Sequence, residues 1–273
     1  MLGSYLKIGL RNLVKNKVYS AINIGGLAVG MAVVILISLW INDELSFNRY
    51  HTHYDRIGMI RNLSTNPHTG LSQGSEHQPI PMAEAIRHNY RHLFDKVVLA
   101  WSIQDYTLNF SGKNLKRAGE FIEPQAPAML SLRMLKGSHS ALADPHSVIL
   151  SQTTAEAIFG TADPINQNLR IDNNLDVKVT GVYEDLPKNS RFSQVGFFAP
   201  WALWVSSNEW VKTASTNWGN TSFHIYVERR PQVNWPTVQA GIKSFYLTNS
   251  PEEIAQIRRQ WKSELFVHPM SDW

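Results

Sequence analysis

Apolar and polar positions alternate in two different ways along this chain. From Tyr19 to Ile41 there is no charged side chain, a run of 23 residues. Wound as a helix, such a run reaches roughly 34 Å, against a hydrocarbon core of about 30 Å. "MAVVILISLW" is strongly apolar, while Ser20, Asn23, Gly25, Gly26 and Gly30 dilute the first half. A core helix of a soluble protein would carry a polar stripe, and an export signal would carry a shorter run closed by small residues. This run has neither feature and ends in "LWINDE". The pattern predicts a retained membrane span over residues 19–41.

Beyond the span the periodicity shortens and mixes. "QPIPMAEAIRHNYRH" predicts a helix from about Pro81 to His92. "DKVVLAW", "DYTLNFSG" and "NLKRAGEFIE" predict strands, the last two joined by a Ser-Gly turn. "HSVILS" leads into the helix "QTTAEAIFG", closed by Gly160. "NLRIDNNLDVKVTGVYED" is a hairpin with Asn-Asn at its turn, and "SFHIYVER" and "LFVHPM" are further strands. "NWPTVQAGIKSFY" and "SPEEIAQIRRQWKSEL" are helices, the second with Ser250, Pro251 and Glu253 placed as a capping box would need. Strands and helices without strict βαβ alternation predict an α+β class: one N-terminal transmembrane helix, then an exported mixed α/β domain in two subdomains. The boundaries are 1–18 for a cytoplasmic amphipathic arm, 19–41 for the span and 42–273 for the exported domain. The "VKVTGVY" strand is expected at the centre of the sheet, with the Gln152–Phe159 helix packed nearby.

Charge sets the orientation. Lys7, Arg11, Lys15 and Lys17 precede the span, and no acid occurs before Asp43. The positive-inside rule puts the N-terminus in the cytoplasm and the remainder across the membrane. The chain holds 26 Lys+Arg against 22 Asp+Glu, and those four residues supply the whole excess. The basic character thus belongs to an arm beside anionic lipid, which argues against a nucleic-acid partner. Leu2, Leu6, Leu10, Leu13 and Val14 fall on one face of that arm, the pattern of a helix lying in the membrane interface. The alternative is a simple charged start to the span. Within the span, Gly26 and Gly30 are four apart beside Gly25, a spacing that admits close helix approach; glycine is also common in membrane helices generally.

Candidate chemistry is sparse. The chain has no G-x-x-x-x-G-K-[ST], no H-E-x-x-H, no G-x-S-x-G and no cysteine. Glu84, His88 and His92 could share one helix face as metal ligands do, and His51 and His53 form an H-x-H; for both groups exposed surface histidine is the plainer reading. Trp201, Trp204, Trp210 and Trp218 suit either a core or an aromatic surface for a partner.

Three stretches resemble one family. "LRNLVKNKVYSAINIGGLAVGMAVVILISLWINDELSFNRYH" is similar to the opening of FtsX-like permeases of the macrolide-exporter type. "SVILSQTTAEAIFGTADPINQNLRI" resembles that family's "ISxxxAxxLFGxxDPIGK", here carried by Phe159, Gly160, Asp163 and Pro164. "VKVTGVYEDLPKNSRF" resembles "VxGVxxDxPxNSH", carried by Gly181, Val182, Asp185, Pro187, Asn189 and Ser190. Asn48 stands where Asp is usual, "RIGMIR" replaces "RIYRV", Asn166-Gln167 replace Gly-Lys, and Arg191 replaces His.

The resemblance implies a permease subunit in a bacterial inner membrane that moves an amphiphile, lipoprotein or peptide. It implies a separate cytoplasmic ATPase that holds the ATP, with no cofactor in this chain. Other permease helices or a second copy, membrane lipid, and periplasmic or outer-membrane proteins would be its partners. Members continue into three further spans, so the sequence is expected to be a fragment, a truncated reading frame or one piece of a split permease. A membrane-anchored interaction module is the alternative use. The motif residues read as structural punctuation, with neither Asp163 nor Asp185 catalytic.

Overall fold

The computed structural model of the chain describes residues 2–273, with the side chains of Leu2, Ser4, Leu6 and Leu10 outside the description. The apolar stripe expected on the N-terminal arm rests mainly on Leu2, Leu6 and Leu10 and so lies outside the described residues. Two compact units are present, residues 1–47 and 48–273.

The first unit is α1 (Leu2–Lys15) followed by α2 (Lys17–Leu45). They are separated at Asn16, whose φ of −107° and ψ of 57° are not helical. Lys7, Arg11, Lys15 and Lys17 are all exposed. α2 is long and apolar enough to cross a membrane and has no buried residue. With no water to bond the backbone in hydrocarbon, a closed intrahelical ladder is what such a segment requires.

The second unit opens with β1 (Ile57–Thr65), β2 (Ser72–Ser75), α3 (Ile80–Asn89) and β3 (Phe94–Ala100). It continues through β4 (Gln104–Phe110), β5 (Lys113–Ile122), α4 (Ala126–Met129), β6 (Met134–Lys136), β7 (Ser147–Ser151) and α5 (Gln152–Phe159). Next come β8 (Asn168–Ile171), β9 (Leu175–Tyr183), β10 (Val195–Pro200), α6 (Trp201–Ser207) and α7 (Glu209–Ala214). β11 (His224–Arg229), α8 (Trp235–Ile242), α9 (Phe245–Asn249), α10 (Glu252–Gln260), β12 (Glu264–Pro269) and a 3₁₀ turn at Met270–Asp272 complete it.

The strands run in the order β10-β7-β9-β8-β4-β5-β3-β11-β1-β12, with β2 on β1 and β6 on β9. A parallel pairing of β10 with β5 closes six strands into a ring. β5 also meets β3 through Ala100 and Ile122, where the ring passes into an open antiparallel sheet. The expected "VKVTGVY" strand is β9, which has β7, β8 and β6 as neighbours, and α5 packs beside it.

The apolar pattern explains both regions. Val177 and Val179 of β9 and Leu169 and Ile171 of β8 alternate inward, and they join Tyr106, Leu108, Phe121 and Phe197 in the ring's core. In the open sheet both faces are covered. Ile225 and Val227 of β11 face a core with α3 and α8, while Tyr226 between them faces a second core with α4. Covering both faces turns a strand into a nearly unbroken apolar run, which is why "DKVVLAW" lacks a polar face.

Several element ends differ from the sequence expectation. α3 stops at Asn89, and the amide of Tyr90 donates to Ile86 to end it, so that the chain can turn into β3 at Phe94. Ser250 does not N-cap α10: it is the C-cap of α9, where its hydroxyl donates to the carbonyl of Tyr246, and Pro251 occupies the N-cap of α10. "NWPTVQAGIKSFY" divides into α8 and α9 around Lys243 and Ser244.

Candidate functional site

The three family-like stretches meet. α5 begins at the end of β7, where Ser151 caps it by accepting from the amide of Thr154 at 3.3 Å. The carboxylate of Asp185, in the loop after β9, accepts from the amide of Thr153 at 3.1 Å and from its hydroxyl. An acceptor carboxylate at a helix's first turn satisfies a donor that the helix itself leaves free. The same loop continues into Pro187–Ser190, a turn in which the Ser190 amide donates to the Pro187 carbonyl at 3.1 Å.

This turn grips the first residues of the compact unit. The Asn48 amide donates to the Asn189 carbonyl at 2.7 Å. Asn48 Oδ1 accepts from the Arg191 amide at 3.0 Å, and Nδ2 donates to the Met270 carbonyl at 3.3 Å. Asn48 is fully buried with φ at +59°, a left-handed conformation that Asn tolerates better than most residues. Asn166 likewise takes φ of +64° where the family pattern has Gly. At these two departures the substituted residue still permits the backbone that the turn needs.

His51 completes the grip. Its Nδ1 lies 2.6 Å from the Leu130 carbonyl, so Nδ1 carries the proton and donates. Nε2 is then an acceptor for the Ser190 hydroxyl at 3.1 Å, while Ser190 Oγ accepts from the Phe192 amide at 3.3 Å. Burial holds the His51 imidazole below its ordinary pKa of 6.5. The expectation that His51 is a surface histidine is therefore corrected: it is completely buried, edge-on to Tyr50 and Phe192. His53 is partly exposed and lies 2.9 Å from Glu228. The Ser190–His51 pair is enclosed and fully engaged, and it serves as a polar rivet.

Arg191 leads from this turn into the interior. Its guanidinium lies over the Trp273 indole at 5.3 Å and 3.7 Å from Glu76. Tyr226 donates to Glu120 at 3.3 Å, and burial pushes Glu120 up to about 8. His224 beside Glu76, with Arg191 adding to it, holds the Glu76 carboxyl down to about 2.

The other motif residues have structural places. Phe159 packs on Phe110 at 4.5 Å, and Gly160 ends α5 with φ of +63°. Asp163 pairs with Lys136 at 2.8 Å and accepts from the Ile165 amide, while Pro164 and Val182 are buried. A Cβ on Gly181 would stand 2.8 Å from the end of the Met134 side chain and 3.0 Å from Ile149, so a side chain there would have to displace Met134 and crowd Ile149. Gly25, Gly26 and Gly30 have no atom within 4 Å of an added Cβ.

Glu84, His88 and His92 are not brought together. Glu84 pairs with Arg87, and His92 lies beyond the helix, stacked on Tyr90. Among the described residues, the group placed to share a metal ion is Glu76, His77 and His224. No spacing motif announces it, because Glu76 and His77 follow β2 while His224 opens β11, far along the chain. The tryptophans are mostly edge-of-core: Trp201 is buried, Trp204 stacks on Trp101 at 5.3 Å, and Trp210 stacks on Phe223 at 5.6 Å while 42% exposed.

An apolar helix long enough for a membrane, followed by an α+β unit in which Asn48 and His51 at the end of the first motif engage the third and the third engages the second, fits a membrane-tethered domain of the kind carried by transport permeases. The chain belongs to the MacB-like periplasmic core domain family, whose model matches residues 20–245. Its fold is similar to a domain described as part of a permease protein from Porphyromonas gingivalis, with a TM-score of 0.62, 21% identity, and coverage of 80% of this chain and 90% of that one. It is also similar to the periplasmic region of MacB from Actinobacillus actinomycetemcomitans (TM-score 0.52, 13% identity, coverage 78% and 88%). A third is the extracellular domain of the noncanonic ABC-type transporter YknZ from Gram-positive bacteria (TM-score 0.50, 12% identity, coverage 78% and 99%). No functionally curated protein sequence matches the chain. Family membership gives the chain a transporter-associated role and fits an inner-membrane protein.

Proposed function

We propose that this chain acts as a permease component of an ABC-type export system. In this reading its N-terminus is cytoplasmic, α2 is the membrane span and residues 42–273 lie outside the cytoplasm. A separate ATPase subunit hydrolyses ATP, and the exported unit carries the resulting motion to an amphiphilic substrate, a lipoprotein or a peptide. Other permease helices or a second copy meet α2, and partners in the periplasm or outer membrane meet the exported unit.

The observation that supports this most is the grip on Asn48. The first residue of the compact unit is held by three hydrogen bonds, to Asn189, Arg191 and Met270. A displacement delivered along the chain at residue 47 therefore arrives at a fixed point, where a flexible linker would absorb it. The basic residues Lys7, Arg11, Lys15 and Lys17 support the orientation.

Affinity purification of the chain from its native membranes tests the reading. ATP hydrolysis sensitive to a transition-state phosphate mimic should co-purify, and a Ser190→Ala variant should retain the ATPase yet lose coupling of hydrolysis to substrate. Purification with envelope proteins but no ATPase would replace transport with a membrane-anchored interaction module. A periplasm-dependent reporter fused after Trp273 checks orientation, and activity of a cytoplasm-only reporter there would reverse it.

A further inference from the structure

His224 opens β11 at 5% exposure, and neither ring nitrogen has an aligned hydrogen-bond partner. A buried imidazole with both nitrogens unsatisfied is costly, because each polar atom has given up water without replacement. Its Nε2 lies 3.4 Å from Glu76 Oε1, and its ring stacks on His77 with centroids 4.9 Å apart. One ligand atom from each of Glu76, His77 and His224 falls within 4.8 Å of the others.

We propose that Glu76, His77 and His224 form a divalent transition-metal site, with Zn²⁺ as its ion. Two imidazoles and one carboxylate are the borderline donors that zinc takes, and three protein ligands leave a position for water or a partner's side chain. Access exists as well: His77 lines a groove of about 550 Å³, together with Asn62, Ser75 and Thr221.

The backbone fixes the three donors from two sides. Gln78, next to His77, bridges to Phe223, next to His224, through paired amide–carbonyl bonds of 2.7 and 3.1 Å. That bridge holds the two imidazole-bearing residues abreast without any help from a metal. Arg191 is the competing cation, 3.7 Å from Glu76. An ion at this site would take Glu76 from Arg191, whose own amide is part of the Asn48 grip. Metal occupancy would thereby be sensed in the turn that holds the start of the exported unit. The site itself stands apart from the transport reading, because it rests on donors and not on any partner.

The test is zinc binding by the purified full-length chain in detergent, measured by competition with a chromophoric chelator. About one equivalent should be withheld per chain, and Co²⁺ should give the intense visible bands of a low-symmetry four-coordinate site. His77→Ala and Glu76→Gln should each weaken binding by more than the roughly 10–100-fold that loss of an outer-shell group costs. A His88→Ala, His92→Ala double variant should bind as the parent does. Zinc fully surrendered to the chelator, or His77→Ala and Glu76→Gln binding like the parent, would overturn the site. His77 is only partly buried, so its variant reports even where His224→Ala fails to fold.

Discussion

His51 and His224 are both buried histidines in the same compact unit, yet their surroundings are opposite. His51 spends each ring nitrogen on a fixed partner, the Leu130 carbonyl and the Ser190 hydroxyl. His224 has a carboxylate and a second imidazole beside it and no aligned bond to either. A fully satisfied polar group makes a structure specific, whereas an unsatisfied one asks for a ligand. The difference separates the rivet that holds the unit's first residues from the cluster that can bind something.

The largest expected effect breaks the satisfied side. His51→Leu removes a donor and an acceptor together and strands the Leu130 carbonyl and the Ser190 hydroxyl in a dry interior. At about 1–3 kcal/mol for each of the two stranded groups, the loss should be roughly 2–6 kcal/mol. Denaturant unfolding of the full chain in mild detergent, followed by tryptophan fluorescence, measures it. A loss below about 1 kcal/mol would mean that the rivet is idle.

Glu120 comes next, as a buried acid that the same network leaves half satisfied, with Oε2 unpartnered. Burial raises its pKa from 4.5 to about 8. The folded state keeps a proton that the unfolded chain releases above 4.5, so this contribution is complete below that pH and is lost as the pH rises through about 8. Glu120→Gln should therefore gain on the parent as the pH rises from 5 to 9, by at least about 1.4 kcal/mol, the equivalent of one pKa unit. Parallel melting curves across that range check the slope.

The rivet should also answer to acid. Because the folded pKa of His51 lies below 6.5, the unfolded chain takes up a proton first. Its contribution is full above 6.5 and declines as the pH falls through that value towards the folded pKa, with a slope of at most about 1.4 kcal/mol per pH unit. His51→Gln, which does not titrate, should flatten the dependence between pH 7 and 5. An unchanged slope would assign the acid sensitivity to another group.

How much of this was legible in the sequence depends on the range of the cause. The long apolar helix α2, the β8–β9 hairpin and α5 with Gly160 behind it are set by local periodicity and turn chemistry, and each helix or hairpin stands where the pattern placed it. The capping box at Ser250 failed because α9 ends there and its free carbonyl took the hydroxyl first. Closure of the ring through β10 and β5 was not legible, since a parallel pairing across the chain leaves no periodic signal. β1 was missed for a related reason: "RIGMIR" reads as a degraded motif until β11, β12 and β2 supply its partners. The rivet needed residues 48, 51 and 190 together. His51 looked like a surface residue because a lone histidine between polar neighbours carries no mark of burial. The cluster at Glu76, His77 and His224 is the extreme case, its members brought abreast by an isolated bridge between Gln78 and Phe223 that no local pattern marks.

The smallest effect on folding is expected in α2, and it sharpens the contrast between satisfied and unsatisfied surfaces on a larger scale. No residue of α2 is buried, and a Cβ at Gly26 or Gly30 would meet nothing. In lipid an apolar surface is not itself a driving force, so close packing between helices rests on small residues that let backbones approach. Gly26→Leu and Gly30→Leu should thus leave membrane insertion and the unfolding of residues 48–273 unchanged. They should measurably lower self-association or co-purification with other permease helices, because leucine holds two helix backbones apart where glycine lets them approach. Quantitative pull-down, alongside the denaturant curve of the same preparation, separates the two readouts. If both substitutions leave association intact, the glycines are ordinary residents of a membrane helix and the packing face lies elsewhere.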